Sequence, residues 1–183
     1  MRITAGTFRS RTLHAPHGDA TRPTSDRVRE ALFSMLTSRG GLLGARVLDL
    51  YAGTGALGLE ALSRGASHVV FVERARDALR ALHANVTSLG VDDHVRVVPI
   101  AVERMERIEI EEPFDLVLAD PPYDQVATGA VTRALTGIAG LMTPSAYLVL
   151  EHAKGDTAPV WTGLEHDETR RVGDTSLSFY RRC

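Results

Sequence analysis

Val47-Leu48-Asp49-Leu50-Tyr51-Ala52-Gly53-Thr54-Gly55-Ala56-Leu57-Gly58 decides the fold. An apolar run ends in a glycine-rich turn, and a helical pattern opens directly after it. Val47 to Tyr51 reads as a strand buried on both faces, which is the pattern of a parallel sheet. Gly53 and Gly55 permit a tight turn with no side chain between backbone and ligand. Gly58 lets the following helix pack closely on the sheet. Together these features predict a small-molecule pocket at the carboxyl end of the first strand of a doubly wound sheet. Asp49 is the only charged residue in that strand. A buried carboxylate is costly without a partner. Four residues before the first glycine, it is expected to face the pocket and attract a cationic group.

Outward from this stretch the chain alternates strand and helix patterns. Strands are predicted at His68 to Glu73, Val95 to Ile100, Phe114 to Ala119 and Ala146 to Glu151. Helices are predicted at Ala56 to Arg64, Arg74 to Leu89, Ala101 to Ile108 and Ala127 to Ala139. The tail reads as an antiparallel pair, Trp161 to Val172 and Ser176 to Arg181, around Gly173-Asp174. Before the first strand, residues 1–14 read as a short β-hairpin turning at Ala5-Gly6-Thr7, and Ala15 to Thr24 as a loop. Ser25 to Ser38 reads as a helix with Val28, Ala31, Leu32, Met35 and Leu36 on one stripe. Residues 1–23 are thus expected to form an arm and residues 24–183 one α/β domain.

Composition narrows the function classes. Hydrophobic residues make up 44 %, enough to build a full core in one domain of this length. There is neither a long apolar run nor a basic-apolar leader, so no membrane span or signal peptide is expected. The single cysteine, Cys183, excludes an internal disulfide and suits a reducing cytoplasm. The seven histidines are scattered, so no metal site is expected. Residues 1–46 hold eight Arg against three acids, a net +5, while the rest holds 13 basic and 20 acidic residues, a net −7. A basic segment on an acidic body suggests contact with a polyanion through Arg2, Arg9, Arg11, Arg22, Arg27 and Arg29.

Two further features carry chemistry. Glu73 ends the second strand 20 residues past Gly53, where an acid receives a ribose diol in nucleotide-binding sheets. Asp120-Pro121-Pro122-Tyr123 follows an apolar strand and so belongs at the carboxyl edge, beside the glycine turn. Two prolines remove two N–H donors and stiffen the backbone, which leaves its carbonyls as rigid acceptors. Asp120 adds acceptors and Tyr123 a flat face. Such a clamp suits a planar group with an exocyclic amine.

These residues resemble the motifs of class I S-adenosylmethionine-dependent amino-methyltransferases: Asp49-x-x-x-Gly53-x-Gly55, Glu73 and Asp120-Pro121-Pro122-Tyr123. Arg2-Ile-Thr-Ala-Gly6 and Arg22-Pro-Thr-Ser-Asp-Arg-Val-Arg-Glu-Ala-Leu-Phe33 resemble one subgroup, the RsmD-type enzymes that methylate the guanine N2 amine of 16S ribosomal RNA. The resemblance covers nearly the whole chain. It implies a Rossmann-like sheet of seven strands in the order 3-2-1-4-5-7-6, the last antiparallel. It implies S-adenosylmethionine as cofactor, on Asp49, Ala52, Gly53, Thr54, Gly55, Leu57, Glu73 and Arg74. Asp49 and the glycine turn would hold the methionine part and Glu73 the ribose. The loop after the third strand, Ile100-Ala101-Val102, offers no acidic side chain to the adenine amine, so backbone contact from Ala101 or Val102 is expected instead. Asp120, Pro121, Pro122 and Tyr123 would form the catalytic loop. The partner implied is 16S rRNA in the assembled or assembling small subunit, and the location cytoplasmic.

Other classes account for part of the pattern. An adenine-N6 DNA methyltransferase or a glutamine methyltransferase uses similar Pro-Pro-Tyr loops, though the chain is short for a DNA target-recognition domain. A nicotinamide oxidoreductase would explain the glycines and Glu73 but not Asp120 to Tyr123. A non-catalytic RNA-binding module would explain only the basic arm.

Overall fold

The computed structural model describes residues 1–15 and 25–183. The expected loop from residue 16 onward, Arg22 and the expected 23/24 boundary lie outside the described residues. Helix α1 (Asp26–Ser38) starts under a side-chain cap, with the Val28 N–H donating to Ser25 Oγ at 3.2 Å. It buries Val28, Leu32, Phe33 and Leu36. There follow β1 (Arg46–Leu50), α2 (Ala56–Ser63), β2 (His68–Val72), α3 (Arg76–Leu89), β3 (Val95–Val98) and β4 (Phe114–Ala119). Two short helices, α4 (Tyr123–Ala127) and α5 (Ala130–Ala134), lead to β5 (Met142–Ala153). β6 (Leu164–Val172) and β7 (Thr175–Arg182) close the chain as a hairpin.

The seven strands form one sheet in the order β3-β2-β1-β4-β5-β7-β6, with β7 antiparallel to β5 and the first five strands parallel. This is the expected doubly wound topology. Along β1, successive side chains serve opposite faces. Val47 joins the core built with α1, α2 and α3. Leu48 and Leu50 join the core built with α5 and the Trp161–Tyr180 corner. Asp49 shares the Val47 face, and this aims its carboxylate at α2.

Several expected elements differ. The helix expected over 127–139 is replaced by α5 and a 3-10 turn at Ile138–Leu141, with α4 ending where it was expected to begin, because Gly129 and Gly137 take left-handed φ of 70° and 81°. The short helix after β3 is 3-10 over Val102–Arg107. β6 begins at Leu164 rather than Trp161. Trp161 is instead buried edge-on against Tyr180, with its Nε1–H donating to the Thr132 carbonyl at 3.0 Å.

The N-terminal hairpin reduces to a bridge between Arg2 and Thr12, with N–H donors from Ile3 to the Arg11 carbonyl and from Leu13 to the Met1 carbonyl. Its turn runs over residues 5–10 rather than Ala5-Gly6-Thr7. Thr7 and Phe8 donate their N–H groups to Ser63, to its carbonyl at 2.8 Å and its Oγ at 2.9 Å, which carries the chain over the end of α2 before it turns. Ile3 and Leu13 are buried in the same core as α1 and α2. Residues 1–15 are therefore packed into the α/β domain rather than separate from it.

Candidate active site

The parallel register puts Leu50 beside Val72 on one side and Ala119 on the other. The next residues of β1, β2 and β4 are Tyr51, Glu73 and Asp120, so the three expected motifs meet at one sheet edge. Tyr51 turns the chain with a φ of 57°, rare for a bulky residue and a sign of a backbone held by its surroundings. Burial, reinforced by the Glu103 charge, pushes its hydroxyl pKa up to about 12. Ala52 then donates its N–H to the Val72 carbonyl, and the Gly55 N–H donates to the Ala52 carbonyl at 2.8 Å, closing the turn. Gly55 has φ 80° and opens α2. A Cβ at Gly58 would lie 2.3 Å from the Phe71 ring, so α2 packs against β2 at a distance only glycine allows.

Glu73 is bound to the turn. Its Oε2 accepts from the Gly53 N–H at 2.8 Å, and its Oε1 accepts from the N–H groups of Arg74 and Ala75, each at 2.7 Å. A carboxylate has about four lone-pair sites. Three are used, so Oε2 keeps one for a ligand hydroxyl, and a second hydroxyl would have to displace a backbone donor.

Asp49 is 1 % exposed and its Oδ2 accepts from the Gly58 N–H at 2.8 Å. It therefore stands behind the glycine turn, bracing the first turn of α2, rather than lining an open wall as expected. Burial raises its pKa well above the usual carboxylate range. The Gly58 hydrogen bond opposes this, and the nearby charges of Asp120 and Glu73 add to it.

Pro121 is buried and Pro122, at φ −52°, leads into α4. Tyr123 is half-buried, with its hydroxyl 2.9 Å from Thr175 Oγ1 at the start of β7. Leu57 and Val102 have their side chains in the two cores, so only their backbones can serve a ligand. Ala101, half-buried, precedes the 3-10 turn. Thr54 turns its carbonyl toward Asn85 on α3.

The arginines divide. Arg29 is a correction to the expected RNA-contacting set: it has no exposed surface. It pairs with Asp26 at 2.6 Å and with Glu60 at 3.3 Å, and also donates to the Arg2 carbonyl. Arg11 is exposed but donates to the Ser88 carbonyl, the penultimate residue of α3, at 2.6 Å. Arg2, Arg9 and Arg27 are exposed. Sequence reasoning misses Tyr51, Asn85 and Thr175. A strained strand end, an amide inside a helix and a threonine at a hairpin carry no motif. Among the described residues no group of three His, Cys, Asp or Glu is placed to hold a metal ion, and no helix is long and apolar enough to cross a membrane.

A mainly parallel seven-stranded sheet finished by an antiparallel hairpin, with acids at neighbouring strand ends around a glycine turn, is the arrangement of class I methyltransferases. Comparison with known proteins narrows this. The family described as conserved hypothetical protein 95 matches residues 1–181, and the chain belongs to it, an RsmD-type class I methyltransferase family. The ribosomal RNA small subunit methyltransferase D of Haemophilus influenzae is 31 % identical over 175 residues, covering 92 % of this chain and 89 % of its own. Its Escherichia coli K12 namesake is 37 % identical over 123 residues, 67 % of this chain and 60 % of its own. A solved hypothetical protein of Thermus thermophilus superposes with a TM-score of 0.82 at 33 % identity, over 98 % of both chains.

Proposed function

We propose that the chain moves the methyl group of S-adenosylmethionine to the exocyclic N2 amine of a guanine in small-subunit ribosomal RNA. The observation that carries this reading is the meeting of Asp49, Glu73 and Asp120 around the glycine turn, with the rigid Pro-Pro-Tyr loop beside it. The residues fit the cofactor. A Cβ at Gly53 would meet only the Tyr51 carbonyl, at 4.0 Å, so the turn has open space on that side. Three carboxylates near one another favour a ligand that brings positive charge, and the Asp120 and Glu73 charges add to the burial that raises the Asp49 pKa. A ligand carrying a sulfonium and an ammonium supplies that charge. The turn backbone would hold its methionine part with Asp49 behind it, Glu73 Oε2 a ribose hydroxyl, and the backbone at Ala101 and Val102 the adenine.

The cofactor supplies an electrophilic methyl carbon. The chain's own task is to present the amine. The lone pair of a guanine N2 amine is delocalised into the base and attacks poorly. Asp120 and the proline carbonyls accept its two N–H bonds, which localises the lone pair and fixes the line of approach. Tyr123 stacks on the base, with Thr175 fixing its hydroxyl. Once methylated, the amine is acidic, and water takes its proton. Extracting the base from its stack costs a few kcal/mol, which contacts to the RNA backbone must offset. Exposed Arg2, Arg9 and Arg27 are the described candidates for these contacts, and Arg22 belongs to the same set by sequence. The proposed substrate is ribosomal RNA within the assembled or assembling subunit, and the proposed location is the cytoplasm.

Calorimetry tests the cofactor half of this reading. S-adenosylhomocysteine should bind and NADH should not. Tight NADH binding without S-adenosylhomocysteine binding would overturn it.

A further inference from the structure

Asn85 lies in the middle of α3, has no exposed surface, and joins two parts of the chain that the proposed reaction uses separately. Its Oδ1 accepts from the His14 N–H at 2.6 Å. Its Nδ2 donates to the His14 carbonyl at 3.1 Å and to the Thr54 carbonyl at 3.0 Å. His14 lies at the end of the docked N-terminal arm, and Thr54 stands between Gly53 and Gly55. Both amide protons are used. An aliphatic residue would fill the same helix position, so the polar group is there for these three bonds; without them a buried amide is strongly disfavoured. The glycine turn thus has two supports. Glu73 holds the Gly53 N–H from the β2 side, and Asn85 holds the Thr54 carbonyl from the α3 side. Only the second support reaches the arm.

We propose that Asn85 is a positioning residue that couples seating of the N-terminal arm to the shape of the cofactor turn. The proposal rests on the glycine turn being the cofactor site. With the arm seated, the His14 peptide holds the Asn85 amide in one orientation, and that orientation fixes the Thr54–Gly55 peptide plane. When the arm shifts, the amide is freed and the turn loses its support on the helix side. Binding free energies are reciprocal, so a filled turn also tightens the arm.

The test uses the full chain, with S-adenosylhomocysteine as probe. Calorimetry is run on the natural sequence, Asn85→Ala, Thr4→Val and the double variant. Thr4 donates to Glu60 at the far end of the arm's seat and has no bond to Asn85 or the turn. Asn85→Ala should weaken binding about tenfold. Thr4→Val should weaken it about threefold with Asn85 in place and not at all in the Asn85→Ala background, the non-additivity expected of coupled sites. Full affinity in folded Asn85→Ala, or an additive double variant, would overturn the coupling. Should Asn85→Ala fail to fold, hydrogen exchange on the natural sequence decides. S-adenosylhomocysteine should slow exchange of the His14 amide, and an unchanged rate would overturn the proposal. No binding by the natural sequence would overturn the cofactor site itself, an outcome distinct from failure of the coupling.

Discussion

Asp49 is more easily protonated in the folded chain than in the unfolded one, because burial and the Asp120 and Glu73 charges outweigh its one hydrogen bond. A carboxyl with a raised folded pKa destabilises the fold increasingly as pH climbs from the usual carboxylate range toward the folded value. Asp49→Asn removes the charge and keeps an oxygen to accept from the Gly58 N–H. Its melting temperature should therefore exceed that of the natural sequence at pH 7 and the difference should shrink as pH falls, while affinity for S-adenosylmethionine drops. A variant less stable than the natural sequence at pH 7 would show that the Asp49 charge is not under strain. The role proposed for Asp120 is different. Asp120→Ala should retain the fold and S-adenosylhomocysteine binding but lose roughly 10²-fold or more in transfer rate, the scale of removing one positioned polar group. Near-natural turnover, measured in single-turnover conditions, would take Asp120 out of the chemistry.

The docked arm shows what an element contributes. Glu60 on α2 is fully buried and accepts from the Thr4 N–H at 2.8 Å, the Thr4 hydroxyl at 2.7 Å, the Ala5 N–H at 3.1 Å and Arg64 Nε at 2.8 Å, with Arg29 paired alongside. Glu60→Ala takes the acceptor from the Thr4 and Ala5 N–H groups and leaves Arg29 with the half-exposed Asp26 as its one acidic partner among the described residues, which approaches the cost of about 3–5 kcal/mol for breaking a buried pair. Glu60→Ala should lower unfolding stability by that amount in urea titration, and a loss under about 1 kcal/mol would mean the network is solvated after all. Deleting the arm would expose the same charges, so truncation perturbs the fold as well as RNA contact. Sequence showed the parallel core well, because β1, β2 and β4 are short apolar runs bounded by glycine, charge or proline. It showed Glu73 and the Asp120 loop through their position at strand ends. It did not show the arm's seat. Thr4 and Glu60 are 56 residues apart, and an acid on a helix has no sequence mark that says it will be buried. For the same reason Arg29 reads as a surface cation beside Arg27, although one lies inside the core and the other outside. The helix expected over 127–139 reads as continuous because its apolar spacing, Val131, Ala134, Leu135 and Ile138, persists across the break at Gly137.

At the scale of the whole molecule, an acidic body must meet a polyanion. The net of −7 beyond residue 46 disfavours phosphate, so the proposed RNA contact is assigned to the basic N-terminal segment. That segment turns over Ser63, and the eight residues of α2 span about 12 Å from there to the glycine turn. If Arg9 touches phosphate, the RNA must extend well beyond the flipped base, so free guanosine should be no substrate. The identity of the acceptor is tested most directly by transfer of labelled methyl from S-adenosylmethionine to small ribosomal subunits that lack the modification, followed by digestion to nucleosides. The expected result is label in N2-methylguanosine of the small-subunit RNA, and none with Asp120→Ala. Label in N6-methyladenosine or in protein glutamine, or no label with folded protein that binds the cofactor, would contradict it.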